Sequence, residues 1–169
     1  MSGTSPNPRK SSFAPVAAPD CRLLVLGSLP GEASLAAQRY YAHPRNLFWH
    51  LMGRVIETDL TALAYQQRLD ALVHAGVGLW DTIASATRAG SLDAAIREER
   101  HNSLRDLADS LPRLRAVGFN GAKAARIGTR LLAGRGPELV TLPSSSPAYA
   151  AMKPAEKEAL WLGLRKFLG

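Results

Sequence analysis

Short apolar runs that alternate with helix-spaced segments predict an α/β protein of three layers, α/β/α, around a central four-stranded parallel sheet. The runs at 22–26, 77–80, 115–119 and 138–142 read as buried strands. Segments with apolar residues three and four apart separate them, and right-handed crossovers through such helices set the strands parallel. At 169 residues the chain suits one domain with one core, and no internal repeat divides it.

Each element has its own reason. Residues 1–19 carry Pro6, Pro8, Pro15 and Pro19 among Ser, Ala and Gly, and a small basic step at Arg9-Lys10. So little apolar side chain does not offset the entropy of ordering, so a flexible tail is expected, followed by a single domain over 20–169. The first strand breaks at Gly27-Ser28-Leu29-Pro30-Gly31. Leu47, Phe48, Leu51 and Val55 space a helix over 46–55, and Leu69, Leu72 and Val73 make another that ends near Gly76. The second strand leaves Asp81 at its C-terminal end. Leu104, Leu107, Ala108 and Leu111 give the next helix, with Ser103 and Asp106 as a capping box and Pro112 as its stop. The third strand ends in Asn120-Gly121 before a basic helix over 122–133. The fourth runs into Pro143-Ser144-Ser145-Ser146-Pro147. Pro154 opens a last helix, with Glu156 and Glu158 early and Arg165 and Lys166 late, as the helix dipole favours. Leu160, Trp161, Leu164 and Phe167 form its expected buried face.

Composition narrows the function. Lys and Arg number 21 against 14 Asp and Glu, a net charge of +7, and the sequence pI is about 10.1. Such a balance suits a polyanionic partner, although a merely basic soluble surface is the competing reading. The one cysteine, Cys21, excludes an internal disulfide and a Cys-rich zinc site, and a cytoplasmic location is the simplest one. No apolar run approaches the roughly 20 residues that cross a bilayer, so no membrane partner is expected. A monomer is the default.

In parallel α/β sheets, ligands bind beyond the carboxyl ends of the strands. Gly27–Gly31, Asp81, Asn120-Gly121 and Ser144–Pro147 should therefore meet in space. Gly27 to Gly31 lacks both a dinucleotide fingerprint and a Walker lysine, and is either plain structure or a wall of amides against a flat ligand. Tyr40-Tyr41-Ala42-His43-Pro44-Arg45-Asn46-Leu47-Phe48-Trp49 holds four of the chain's eleven aromatics. Trp49 reads as core. Tyr41, His43 and Asn46 stand where a helix opens and backbone donors point outward, and a simple N-cap is the competitor for Asn46. Asn120 is either a turn residue or an amide able to read a base edge. Ser144, Ser145 and Ser146 form either a rigid polar loop or a phosphate clamp. Asp81 is either a cap for the following segment, or a base or a stabiliser of a cationic group, and Lys123, Arg126 and Arg130 either widen a positive footprint or are simply solvated.

Taken in order, the Gly-Ser-Leu-Pro-Gly turn, the Tyr-Tyr-Ala-His-Pro-Arg-Asn-Leu-Phe-Trp segment, Phe-Asn-Gly-Ala-Lys and Pro-Ser-Ser-Ser-Pro-Ala resemble the uracil-DNA glycosylase superfamily. The nearest branch is that of the hypoxanthine-DNA (deoxyinosine) glycosylases, and the resemblance spans roughly residues 21 to 168. It implies a metal-free and cofactor-free enzyme that flips a deaminated base from DNA and hydrolyses its N-glycosidic bond. Many members carry an Asp or Asn near Ser28 or Leu29, and this chain does not. In the hypoxanthine branch that role falls to the Asn of His-Pro-x-Asn, here Asn46. The resemblance further assigns Gly27, Ser28, Leu29, Tyr41 and Asn120 to the base, Tyr41 by stacking. To the DNA it assigns Pro30, Gly31, His43, Lys123, Ser144, Ser145, Ser146 and Pro147, with Tyr149 as a wedge. No lysine falls in the turn, the aromatic segment or the Ser-rich loop, so a monofunctional enzyme without lyase activity is expected. Hypoxanthine is the expected base, with uracil or xanthine as others. A catalytically silent nucleic-acid-binding module on the same fold is the alternative.

Overall fold

The structure is a computed structural model and describes residues 8–169. Its elements in chain order are β1 (Arg9–Ser11), β2 (Leu23–Gly27), α1 (Glu32–Ala37), α2 (Phe48–Ile56), α3 (Tyr65–His74), β3 (Val77–Asp81), β4 (Ile83–Arg88), β5 (Ile96–His101), α4 (Leu104–Asp109), β6 (Ala116–Asn120), α5 (Ala122–Leu132), β7 (Glu138–Leu142) and α6 (Pro154–Trp161).

The four predicted strands form one parallel sheet in the order β3-β2-β6-β7. Successive side chains of a strand point to opposite faces, so the fully buried β2 feeds two cores. Leu23 and Val25 pack with Phe48, Trp49, Leu51, Met52 and Trp161 on the α2 and α6 side. Leu24 and Leu26 pack with Leu104, Phe119, Ala124 and Leu132 on the α4 and α5 side. Two apolar faces covered by helices make the expected three layers.

A second sheet was not expected. β1, β4 and β5 pair antiparallel in the order β1-β4-β5. β5, Ile-Arg-Glu-Glu-Arg-His, is exposed apart from Ile96 and has the composition of a solvated loop. Its order comes from the backbone ladder with β4, which composition does not register. The same cause corrects the expected tail. Arg9 to Ser11 pair with β4, and Val16 exchanges backbone hydrogen bonds with Leu79 at 2.9 and 2.8 Å. Phe13 meets the ring of Tyr40 edge-on at 5.2 Å. The rest of the expected tail, residues 1–7, lies outside the described residues.

Two local expectations also change. Ser103 makes no side-chain cap, because its backbone lies at φ −77° and ψ 69°, and its helix runs only to Asp109. At the chain end α6 stops at Trp161 and tightens to a 3₁₀ turn over Leu162–Phe167. That change of pitch keeps Trp161, Leu164 and Phe167 buried and leaves Leu160 53% exposed. Among the described residues, no helix is long and apolar enough to cross a membrane.

Candidate active site

The C-terminal ends of β2, β3 and β6, and the loop after β7, open into one cleft of about 890 Å³. Gly27, Ser28, Leu29, Pro30, Gly31, Tyr41, His43, Asn46, Asp81, Asn120, Lys123, Arg126, Ser144, Ser145, Ser146, Pro147 and Tyr149 all line it. Parallel strands of similar length end together, and this gathers residues more than a hundred positions apart. The volume is that of a small-ligand site.

The aromatic segment is braced from below. The ring of Tyr41 stacks on Phe48 with centroids 3.8 Å apart and planes 15° from parallel. Its backbone carbonyl accepts from Trp49 Nε1 at 3.1 Å. Tyr41 holds φ at +54°, a left-handed conformation that costs energy in a residue with a Cβ. Trp49 is core, as its spacing indicated. His43 Nδ1 accepts from the Arg45 N–H at 3.1 Å, so Nε2 is the ring nitrogen that can donate. Asn46 Oδ1 accepts from the Phe48 N–H at 2.9 Å and so caps the opening of α2. The Nδ2 end has no protein partner among the described residues, so the bond to α2 leaves part of this cleft-lining amide unengaged.

Asn120 and the Ser-rich loop lock together. Asn120 Nδ2 donates to Ser145 Oγ at 2.9 Å, and its Oδ1 accepts from the Ser145 N–H at 2.9 Å. One N–H and one lone pair of the amide remain for a ligand. Gly121 takes φ +100° to pass beneath Ser144, a conformation that favours glycine. The Leu47 N–H donates to the Ser145 carbonyl at 3.0 Å, which ties the loop to the aromatic segment. The Ser146 N–H donates to Ser144 Oγ at 3.1 Å. Lys157, only 2% exposed, donates to the Tyr149 carbonyl at 2.7 Å and the Ser146 carbonyl at 3.4 Å. It therefore holds the loop from inside the molecule, and desolvation pulls its pKa down.

The Gly27–Gly31 turn is held by Arg88, which is fully buried. Its guanidinium donates to the carbonyls of Leu29 and Pro30, and its Nε to Gly90 at 2.8 Å. Ser28 Oγ donates to Asp93 Oδ1 at 2.6 Å. Asp81 lies deeper, 4% exposed, and its Oδ2 has no hydrogen-bond partner. Burial first, then the Asp93 carboxylate, push its pKa from 3.8 to about 7, while Arg88 pulls the other way. The Tyr41 hydroxyl is also buried and forms no well-aligned hydrogen bond; burial and then Asp81 raise its pKa, while the neighbouring Asn120 side chain lowers it. A Cβ on Gly27 would stand 2.7 Å from Asp81 Oδ1 and 3.0 Å from Tyr41 Oη, so only glycine keeps the gap between them open.

Several residues that line or brace the cleft escaped sequence reasoning. Leu92 lines the cleft yet is 58% exposed; Tyr149, which the resemblance did assign, lines it at 40% exposure. Asp93, Arg88 and Lys157 had no local signal, since each acts through a fold contact distant in sequence. Lys123, expected to face DNA, pairs with Glu99 at 3.0 Å. Arg126, one turn further along α5 on the same cleft wall, is exposed.

The model of the uracil DNA glycosylase superfamily matches residues 14–165. A Methanosarcina acetivorans protein named hypoxanthine DNA glycosylase is 39% identical over 155 residues, covering 90% of this chain and 98% of that protein. A protein of the same name from Methanosarcina barkeri is 41% identical over 140 residues, covering 83% of this chain and 88% of that one. A solution NMR structure of a Methanosarcina acetivorans protein named for uracil DNA glycosylase superposes with a TM-score of 0.82 at 38% identity, covering 92% of this chain and 98% of that chain.

Proposed function

The chain belongs to the uracil DNA glycosylase superfamily, and from that premise we propose that it is a monofunctional DNA glycosylase of base-excision repair. Its substrate is DNA that carries a deaminated base, hypoxanthine first, with uracil or xanthine as further candidates. The observation that carries this reading is the joining of all four strand-end motifs in one cleft beside an aromatic face. A base inside a duplex is out of reach, so the target nucleotide must swing out, most cheaply where it is mispaired. Phe48 covers one face of the Tyr41 ring, and the cleft side of Tyr41 stacks the extruded base. The free N–H and lone pair of Asn120 bond its edge, and Gly27, Ser28 and Leu29 form the wall beside it. Asn46 Oδ1, through the lone pair that the Phe48 N–H leaves free, accepts from the attacking water and positions it at C1′. An amide is too weak a base to deprotonate that water, so Asn46 acts by orientation and charge stabilisation in the oxocarbenium-like transition state.

Pro30, Gly31, His43, Ser144, Ser146 and Pro147 grip the phosphate backbone around the extruded nucleotide, with Lys123 at the edge of that footprint; Ser145, buried and bonded to Asn120, holds the loop from within instead. Tyr149 and Leu92, apolar side chains exposed on the cleft rim, enter the space that the base vacates. The enzyme works as a monomer in the cytoplasm without metal or cofactor.

Matched duplex oligonucleotides carrying one inosine, uracil or xanthine test the proposal, with Asn46→Ala beside the parent. Parent release of hypoxanthine should fall by about 10²–10³-fold in the variant while DNA affinity persists. Release of uracil alone would move the substrate. Binding without any release would leave a silent DNA-binding module.

A further inference from the structure

We propose that Asp81 is a catalytic residue that acts as a neutral acid, donating a hydrogen bond to O6 of the departing purine. The inference rests on the glycosylase reading above and deepens it. Asp81 sits at the end of β3 in the floor of the cleft, 4% exposed, with Oδ2 unpartnered. A buried polar atom without a partner is costly and rare in a native fold, so a group that lacks one inside a ligand cleft is suited to a ligand atom. The gap beside it is reserved: any side chain at Gly27 would fill the space bounded by Asp81 Oδ1 and Tyr41 Oη.

The surroundings keep the carboxyl neutral. Asp81 forms no ion pair among the described residues, because the guanidinium of Arg88 is engaged by the carbonyls of Leu29, Pro30 and Gly90. Asp93 faces it as a second carboxylate, fixed by Ser28. Tyr40 and Tyr41, from the aromatic segment, complete the set of titratable neighbours, and both are uncharged near neutral pH. Asp81 is buried and Asp93 only half-buried; desolvation and the facing carboxylate both disfavour a charge on Asp81, so the deeper carboxyl is the one that holds a proton.

Such an acid does what a purine leaving group needs. As C1′–N9 breaks, its electron pair stays on the base, and conjugation carries negative charge to O6. An O–H directed at O6 offsets that charge as it develops, whereas a carboxylate there would oppose it. The water oxygen then bonds C1′, one of its protons leaves to solvent, and the base takes up one proton, so the reaction balances as hydrolysis.

Single-turnover release of hypoxanthine between pH 5 and 9 tests the assignment. The parent rate should hold in acid and fall by about tenfold per pH unit well above neutrality, as the neutral acid is lost. Asp81→Asn keeps an N–H donor that does not titrate, so its profile should be slower and flat across that alkaline limb. Circular dichroism and DNA affinity confirm that the variant is folded. A second probe needs only the parent: DNA carrying purine deoxyriboside, with hydrogen at C6 in place of O6, should be cleaved at least tenfold more slowly, and its rate should lack the alkaline fall. A parent that releases hypoxanthine with no alkaline fall, or cleaves both bases alike, overturns the role of Asp81 and leaves the glycosylase reading intact. A parent that releases no hypoxanthine overturns that reading itself.

Discussion

Burial of Asp81 has a consequence for stability that is separate from its chemistry. Its folded pKa of about 7 lies above the ordinary 3.8 that it regains on unfolding. Between those values the folded state holds a proton that the unfolded chain has released. Its contribution is therefore complete below 3.8, is lost as pH rises through the window and levels off above about 7; the change is on the order of a few kcal/mol. Urea unfolding of the parent and of Asp81→Asn at pH 4 and pH 8 should show the variant gaining on the parent only at the higher pH. An equal difference at both values would mean that Asp81 stays ionised when folded. Residues were legible in the sequence where their roles are local. Asn46 caps α2 within two positions of itself, and the spacing around it marks that helix start. Asp81 was visible as a strand-end residue, yet its charge state depends on Arg88 at the end of β4 and Asp93 in the turn that follows it.

At the scale of elements, the parallel sheet was legible because its strands are covered on both faces and therefore written in apolar residues. The second sheet was hidden, since β5 is mostly charged and β1 lies in a proline-rich stretch. That sheet supports the loop that carries Leu92. Around it, the Glu32 N–H donates to Ser91 Oγ at 2.8 Å, Lys10 Nζ donates to the Gly90 carbonyl at 2.8 Å, and Ser28 holds Asp93. Leu92 itself points to water, at 58% exposure. A braced loop with one exposed leucine loses little entropy when it enters a base stack. Leu92→Ala should therefore lower single-turnover release from duplex DNA by about tenfold, since unstacking costs a few kcal/mol. Release from a single strand, where little stacking must be broken, should change far less. Equal losses on both substrates would place Leu92 in the base pocket instead.

For the whole molecule, the net charge of +7 suits a polyanionic partner or a merely basic surface, and charge counted along a chain does not say which cations are available. Folding pairs Lys123 with Glu99, Arg135 with Asp109 and Lys166 with Glu138. Arg126 lines the cleft and forms no ion pair among the described residues. A cation that meets a phosphate releases condensed counterions, so each such contact adds about 0.9 to the slope of log affinity against log salt. Duplex affinity measured across a salt series should then lose roughly one unit of slope in Arg126→Ala. Lys123→Ala should lose less, because Glu99 already neutralises that ammonium and must be displaced before a phosphate can take its place. The opposite ranking would show that DNA binding breaks the Lys123–Glu99 pair, and the phosphate path would then run toward β5, along the antiparallel sheet that composition concealed.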